Sequence, residues 1–319
     1  LIERVGGNDA GESWFLTRKC GKYLFFWRNV LEKVTSEKID LVAAHFISLK
    51  GGSSMRMKFG KVICYFQILF VIALLASMVG VDAAWGSMLD KIIGRGHILV
   101  GTAGDYKPFT YLNPSANQFE GIDIDMAHHL GKSLGVEVRF VKTSWPTLMK
   151  DFLEGKYDVG MGGISINLER QKKAFFTISY LKDGKTPITR RESVAKFQTL
   201  DQIDQPGVKV IVNPGGTNER FVRAHLKKAT IVVYEDNVTI FDQIVQGKAD
   251  LMITDAVETI LQQKLRPELA AVHPDKPFTF SEKGYLLPQD VVLKFWVDQW
   301  LNLSLQDGTF QKFYDKWLK

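Results

Sequence analysis

Cysteine is nearly absent from this chain of 319 residues: there are two, Cys20 and Cys64, and none after position 64. Disulfides, zinc–thiolate sites and a cysteine nucleophile are therefore excluded from residues 65–319. Histidine is scarce as well, and His97, His128, His129, His225 and His273 show neither metal-ligand nor triad spacing, so they read as packing or surface residues. A charge excess of one sign is also lacking over most of the chain. The net charge is +6, yet residues 1–61 hold 11 Lys/Arg against 6 Asp/Glu, which leaves +1 for the other 258 residues. That balance gives no basic surface for nucleic acid, and none is expected as a partner.

Long apolar runs are limited to one, Val62–Val81. It follows the basic stretch Met55-Arg56-Met57-Lys58-Phe59-Gly60-Lys61 and precedes Asp82-Ala83-Ala84-Trp85. A basic region, an apolar region and small residues before a cut describe a Sec signal peptide over 55–84, which implies a periplasmic protein. The alternative is an uncleaved anchor, since about 20 apolar residues can also span a bilayer. The membrane is expected to matter only through this segment. Residues 1–54 are expected to be a non-native or disordered extension, with translation starting at Met55 or Met57.

From Trp85 onward, short β-rich runs alternate with helical patterns. Ile98–Thr102, Val136–Val141 and Val159–Met161 read as strands, separated by helices over Ile122–Leu134 and Trp145–Glu154. Ile122, Met126, Leu130 and Leu134 form an apolar stripe on the first helix. A second set follows: strands Val208–Val212, Thr230–Val233 and Leu251–Ile253, with helices Asn218–Lys227 and Asn237–Gln246 between them. The β-α-β-α-β order predicts a parallel sheet in each of two α/β lobes. Ser179–Glu192, with Gly184 and Pro187, reads as a crossing between lobes. The lobes are assigned as 85–182 and 183–280, with 281–319 returning to the first and ending in helices Val291–Leu305 and Thr309–Leu318. Such a hinged clamp places its ligand beyond the carboxyl ends of the strands.

Four segments fall at those ends. Tyr106, in Gly104-Asp105-Tyr106-Lys107-Pro108-Phe109, can wall an apolar ligand face or simply precede a turn. In Gly162-Gly163-Ile164-Ser165-Ile166-Asn167-Leu168-Glu169-Arg170, Gly163 exposes backbone amides, Ser165 adds a hydroxyl and Arg170 offers a fork that fits a carboxylate. The same stretch also reads as a helix start capped by Asn167. Asn213-Pro214-Gly215-Gly216-Thr217-Asn218-Glu219-Arg220 is a Gly-rich loop entering a helix, which favours an anion; there Glu219 either complements the helix dipole or takes part in the site. Asp255 ends a strand, where it either caps the next helix or meets an ammonium, and Trp145 is an aromatic wall or core.

Taken in order, these segments resemble the family 3 extracellular solute-binding proteins, over about Met88–Leu318. The resemblance implies a two-lobed fold of the type II periplasmic-binding-protein class, α-carboxylate binding by Ser165 and Arg170, support from the Gly216-Thr217 loop of the other lobe, and an amino group at Asp255, with Asn218 beside that loop as a further substrate-binding candidate. Asp183-Gly184-Lys185-Thr186-Pro187-Ile188-Thr189, Asp236-Asn237-Val238-Thr239-Ile240-Phe241 and Ala271-Val272-His273-Pro274 add a narrower likeness. With the earlier stretches they are similar to the cyclohexadienyl dehydratases, a catalytic offshoot of the fold acting on prephenate and L-arogenate. That likeness implies Glu219 as general acid, with its pKa raised, Lys185 as a second carboxylate partner, and no metal or redox cofactor. The competing expectation is a polar amino-acid-binding subunit of an ABC transporter. Either way the partner is a small carboxylate, and the sequence assigns no oligomeric state.

Overall fold

The computed structural model describes residues 86–319. The signal segment 55–84 and the extension 1–54 lie outside the described residues. Among the described residues no helix is long and apolar enough to cross a membrane.

Two five-stranded sheets carry the fold. In the first, His97–Thr102 lies parallel to Glu137–Lys142 on one side and to Val159–Gly160 on the other. Leu286–Leu287 then adds antiparallel to Val159–Gly160, and Phe175–Phe176 closes that edge. In the second, Lys209–Val212 lies parallel to Thr230–Val233 and Leu251–Asp255, and Lys185–Arg190 and Leu269–Ala271 complete it antiparallel. The expected parallel strands therefore form the centre of each sheet, and antiparallel strands extend one side. Lys185–Arg190, read from sequence as part of a crossing, is a full member of the second sheet, bonded on both sides. Gly184 and Pro187 masked it, because a proline supplies no N–H to a ladder and argues against an interior strand.

Helix placement follows the apolar spacing. Ile122–Leu134 forms where the stripe predicts it, and Ile122, Met126, Leu130 and Leu134 are all buried in the core of the first sheet. Gly135 ends this helix in the left-handed conformation, its N–H capping the last turn. Two helices start later than expected: Leu148–Leu153 begins after Pro146, and Ile240–Val245 after the turn at Asn237.

The chain passes between the sheets twice, side by side. Leu181–Asp183 and Ser281–Lys283 pair antiparallel, and an isolated bridge ties Ser165 to Lys283. This ribbon brings the carboxyl ends of both sheets to face one another.

Asp123 fixes the first side of that meeting. Its carboxylate is fully buried and accepts from the Gly162 amide at 2.9 Å, the Gly163 amide at 2.6 Å, and the Tyr180 and Tyr285 hydroxyls at 2.8 and 3.2 Å. Burial pushes its pKa up to about 6 against the pull of these four donors. Gly163 sits at φ 71°, and a Cβ there would come within 2.5 Å of the Tyr106 ring, so only glycine lets this loop close on the aromatic wall. Asp123→Ala leaves two buried amides without an acceptor and is expected to cost about 2–4 kcal/mol, read from urea unfolding midpoints. Stability within about 0.5 kcal/mol of the parent contradicts this role for Asp123.

Candidate functional site

Between the facing sheet ends lies a cavity lined by Tyr106, Trp145, Gly163, Ser165, Arg170, Asn213, Gly216, Thr217, Asn218, Asn237 and Asp255. Eight of the residues singled out from sequence are brought together here: Tyr106, Trp145, Gly163, Ser165, Arg170, Thr217, Asn218 and Asp255. Lys185 stands directly behind the wall, touching three of the lining residues. Glu219 does not line the cavity.

One side is aromatic. The Tyr106 ring meets Trp145 edge-on, 5.7 Å between centroids, and the Trp145 indole N–H donates to Asp105 at 3.0 Å. That bond anchors the indole at the cavity wall while its face stays apolar. Burial raises the Asp105 pKa to about 6, opposed by the indole donor.

Arg170 supplies the charge that faces the cavity. Its helix, Leu168–Gln171, starts at Asn167, whose side chain caps the Arg170 amide as expected. The guanidinium is nonetheless buried, not exposed on that helix. One Nη donates to the Ser165 carbonyl at 2.8 Å, and no carboxylate among the described residues forms an ion pair with it. Burial, then repulsion from Arg220, lowers its pKa to about 10, so it remains a cation at neutral pH. A buried guanidinium with donors to spare is the chemical counterpart of a carboxylate.

The floor is an ion cluster. Asp255 accepts from Lys185 Nζ at 2.7 Å on one oxygen. On the other oxygen it accepts from Lys283 Nζ and from the Tyr106 hydroxyl, each at 2.5 Å. Lys185 also donates to Thr217 at 2.9 Å and to Asn218; Lys283 also donates to Ser165 at 3.0 Å and reaches Tyr106 at 3.4 Å. Burial opposes the ionised form of Asp255, but the two lysines outweigh it and hold the carboxyl well below the usual range. Burial lowers the Lys185 pKa, opposed by the adjacent Asp255 carboxylate. One helical turn on, Glu258 is buried and accepts from Thr254 at 2.5 Å, and burial raises its pKa to about 8.

Glu219 departs from expectation. It accepts from the Gly215 amide at 2.7 Å and from Arg223 at 2.8 Å, and these two donors lower its pKa, where the acid's role asked for a raised one. In this arrangement it serves its helix, Thr217–His225, as the dipole reading allowed. Gly215, at φ 77°, lies against Pro146 of the first sheet's side, where a Cβ would come within 2.6 Å, so this loop also requires glycine.

Sequence reasoning missed Lys283, Asn213 and Asn237 as site residues. Asn237 lines the cavity, donates to the Asp105 carbonyl at 3.0 Å, and leaves its buried Oδ1 without a partner among the described residues. The last two sit inside motifs whose other members were assigned, whereas Lys283 lies in Ser281-Glu282-Lys283, which carries no local signal. No cluster of potential metal ligands occurs among the described residues.

Residues 98–319 match the bacterial extracellular solute-binding proteins, family 3. The chain is 56% identical over 253 residues to a cyclohexadienyl dehydratase of Pseudomonas aeruginosa, covering 79% of this chain and 93% of that one. It is 28% identical over 249 residues to the L-cystine-binding protein TcyJ of Escherichia coli K12, covering 77% and 91%. Among solved structures, the ancestral amino acid-binding protein AncCDT-1, described as a precursor of cyclohexadienyl dehydratase, superposes with a TM-score of 0.68. It is 37% identical, over 73% of this chain and all of that one.

The Glu258 carboxyl gives this site a pH signature. Its folded pKa, about 8, lies above the unfolded value of 4.5, so its stabilising effect is complete below pH 4.5 and is lost as pH rises to 8. Glu258→Gln should flatten the fall in Tm between about pH 4.5 and 8. An unchanged Tm profile in the variant contradicts a protonated Glu258.

Proposed function

Because the chain belongs to the bacterial extracellular solute-binding proteins of family 3, with a dehydratase among its relatives, we propose that it is a periplasmic cyclohexadienyl dehydratase. It converts prephenate to phenylpyruvate and L-arogenate to L-phenylalanine. The observation that carries the site assignment is Arg170: a buried guanidinium without an ion-pair partner among the described residues, facing a cavity between two sheets. Identity of 56% over almost the whole dehydratase favours that enzyme over an amino-acid carrier. The carrier reading also asks Asp255 for an open carboxylate, and both its oxygens are engaged. Residues 55–84 act as the signal peptide, and the paired strands at 181–183 and 281–283 serve as the hinge.

Arg170 and Ser165 hold the side-chain carboxylate of the substrate. The ring lies against Tyr106 and Trp145, so the ring carboxylate meets a weakly solvated face that favours its departure. The bond from that carboxylate to the ring breaks, carbon dioxide leaves, and the electron pair enters the ring. The carbon–oxygen bond at the opposite ring carbon breaks at the same time, and its hydroxyl takes one proton and leaves as water. Aromatisation drives the step, which is redox-neutral.

Glu219 is assigned as the proton donor. Its three predecessors, Gly216, Thr217 and Asn218, line the cavity. What holds it outside is a hydrogen bond from the Gly215 amide and an Arg223 ion pair whose arginine is 54% exposed. That pair contributes about 0–1 kcal/mol and the hydrogen bond from Gly215 about 1.5–3 kcal/mol, which substrate binding offsets when the side chain rotates inward. Inside the closed cleft, desolvation and the substrate anion raise its pKa and keep it protonated.

Two variants separate binding from chemistry. Arg170→Ala should weaken phenylpyruvate binding by about 2–5 kcal/mol in calorimetry, since the ligand charge loses its partner. Glu219→Gln should preserve that binding and reduce prephenate turnover by ~100- to 10,000-fold. Unchanged affinity in the first variant removes Arg170 from the site. Turnover near the parent's in the second removes Glu219 as the acid.

A further inference from the structure

Among the described residues the one carboxylate lining the cavity belongs to Asp255, and its electrostatic demand is already met. Lys185 and Lys283 each approach one of its oxygens, and the Tyr106 hydroxyl takes a further position on the second. Neither lysine has a donor left for a ligand. The three N–H groups of Lys185 are matched by Thr217, Asn218 and Asp255; those of Lys283 are matched by Tyr106, Ser165 and Asp255. Lys283 is fully buried, and its strand is bridged to Ser165, so its ammonium is held in place by backbone as well as by charge.

Arg170, Lys185 and Lys283 all stand at this cavity, and Asp255 is the one carboxylate that the two lysines bond. Two further buried carboxyls stand near the cluster, Asp183 and Glu258, and burial disfavours the ionised form of each. A ligand with two carboxylates complements this group of cations. A ligand that adds an ammonium brings a fourth cation into the same desolvated space, where like charges repel strongly. Asn237 Oδ1 offers such an ammonium one neutral acceptor, which suits a hydroxyl equally well.

We infer that Lys283 and Lys185 act as built-in ammonium groups on Asp255, so that the cavity selects a dicarboxylate keto acid over the corresponding amino acid. Prephenate is then the preferred substrate and L-arogenate the weaker one. This rests on the ligand site proposed above. Both lysines are positioning residues: they act on ligand choice through Asp255 and spend no donor on the ligand.

The test uses products, so it does not depend on turnover. Calorimetry on the full chain at pH 7.5 compares phenylpyruvate, L-phenyllactate and L-phenylalanine. The last two share a tetrahedral carbon and differ in hydroxyl against ammonium. Phenylpyruvate and phenyllactate should each bind at least about tenfold tighter than phenylalanine, the loss expected for an ammonium without an anionic partner. Lys283→Met frees one Asp255 oxygen and should move the phenyllactate-to-phenylalanine ratio about tenfold toward the amine. Phenylalanine binding as tightly as phenyllactate in the parent protein overturns the inference, as does binding of none of the three. A folded Lys283→Met variant with an unchanged ratio overturns the role of Lys283; if that variant does not fold, the parent ratios decide alone. Preference for the hydroxy and keto acids without any turnover of prephenate would remove the dehydratase function and leave this selection standing.

Discussion

A carboxylate buried where two sheets meet must be neutralised from both sides, and Asp255 imposes that constraint on everything around it. Desolvating an isolated ion costs several kcal/mol even after relaxation, so the fold must deliver cations to this point. It does so from different parts of the chain: Lys185 from the first residue of its strand, Lys283 from the returning ribbon, and the Tyr106 hydroxyl from the opposite sheet's side. The cluster therefore ties the two halves together at the place where the ligand cavity opens. Removing any one cation leaves the remaining charges unbalanced in a low-dielectric setting, which is why such clusters specify geometry more than they add stability.

Asp123 plays the complementary part on the first sheet. It gathers two glycine amides and two tyrosine hydroxyls, and so shapes the loop that carries Gly163 and Ser165 into the cavity. With one acid organising the anion-binding loop and another organising the cations, the cavity keeps Arg170 as its open charge. The chemistry proposed for the site follows from that division. Arg170 supplies recognition, the aromatic wall supplies a poorly solvating surface, and the acid comes from a helix turn at the rim.

Much of this was legible in the sequence. The Ile122–Leu134 stripe specifies its helix because four apolar residues at fourfold spacing can be buried on one face only. The Gly-rich loops could be assigned to the cavity because a glycine pair after a strand has few uses other than close approach. Lys185–Arg190 was hidden by Pro187, and the small sheet of Asp105–Tyr106, Thr110–Asn113 and Gln118–Glu120 by strands too short to show a period. Lys283 and Asn237 were illegible for a different reason: their roles arise from contacts 28 to 177 residues away along the chain, which no local pattern records. The direction of the Glu219 pKa was likewise set by the Gly215 amide and by Arg223, not by residue type.

The most direct test of the account is to mix the purified full chain with prephenate at neutral pH and follow carbon dioxide release together with phenylpyruvate absorbance. Equal amounts of both products, formed catalytically over many turnovers, are what the account predicts. Tight binding of amino acids with no release of carbon dioxide would contradict it and make the cavity a carrier site.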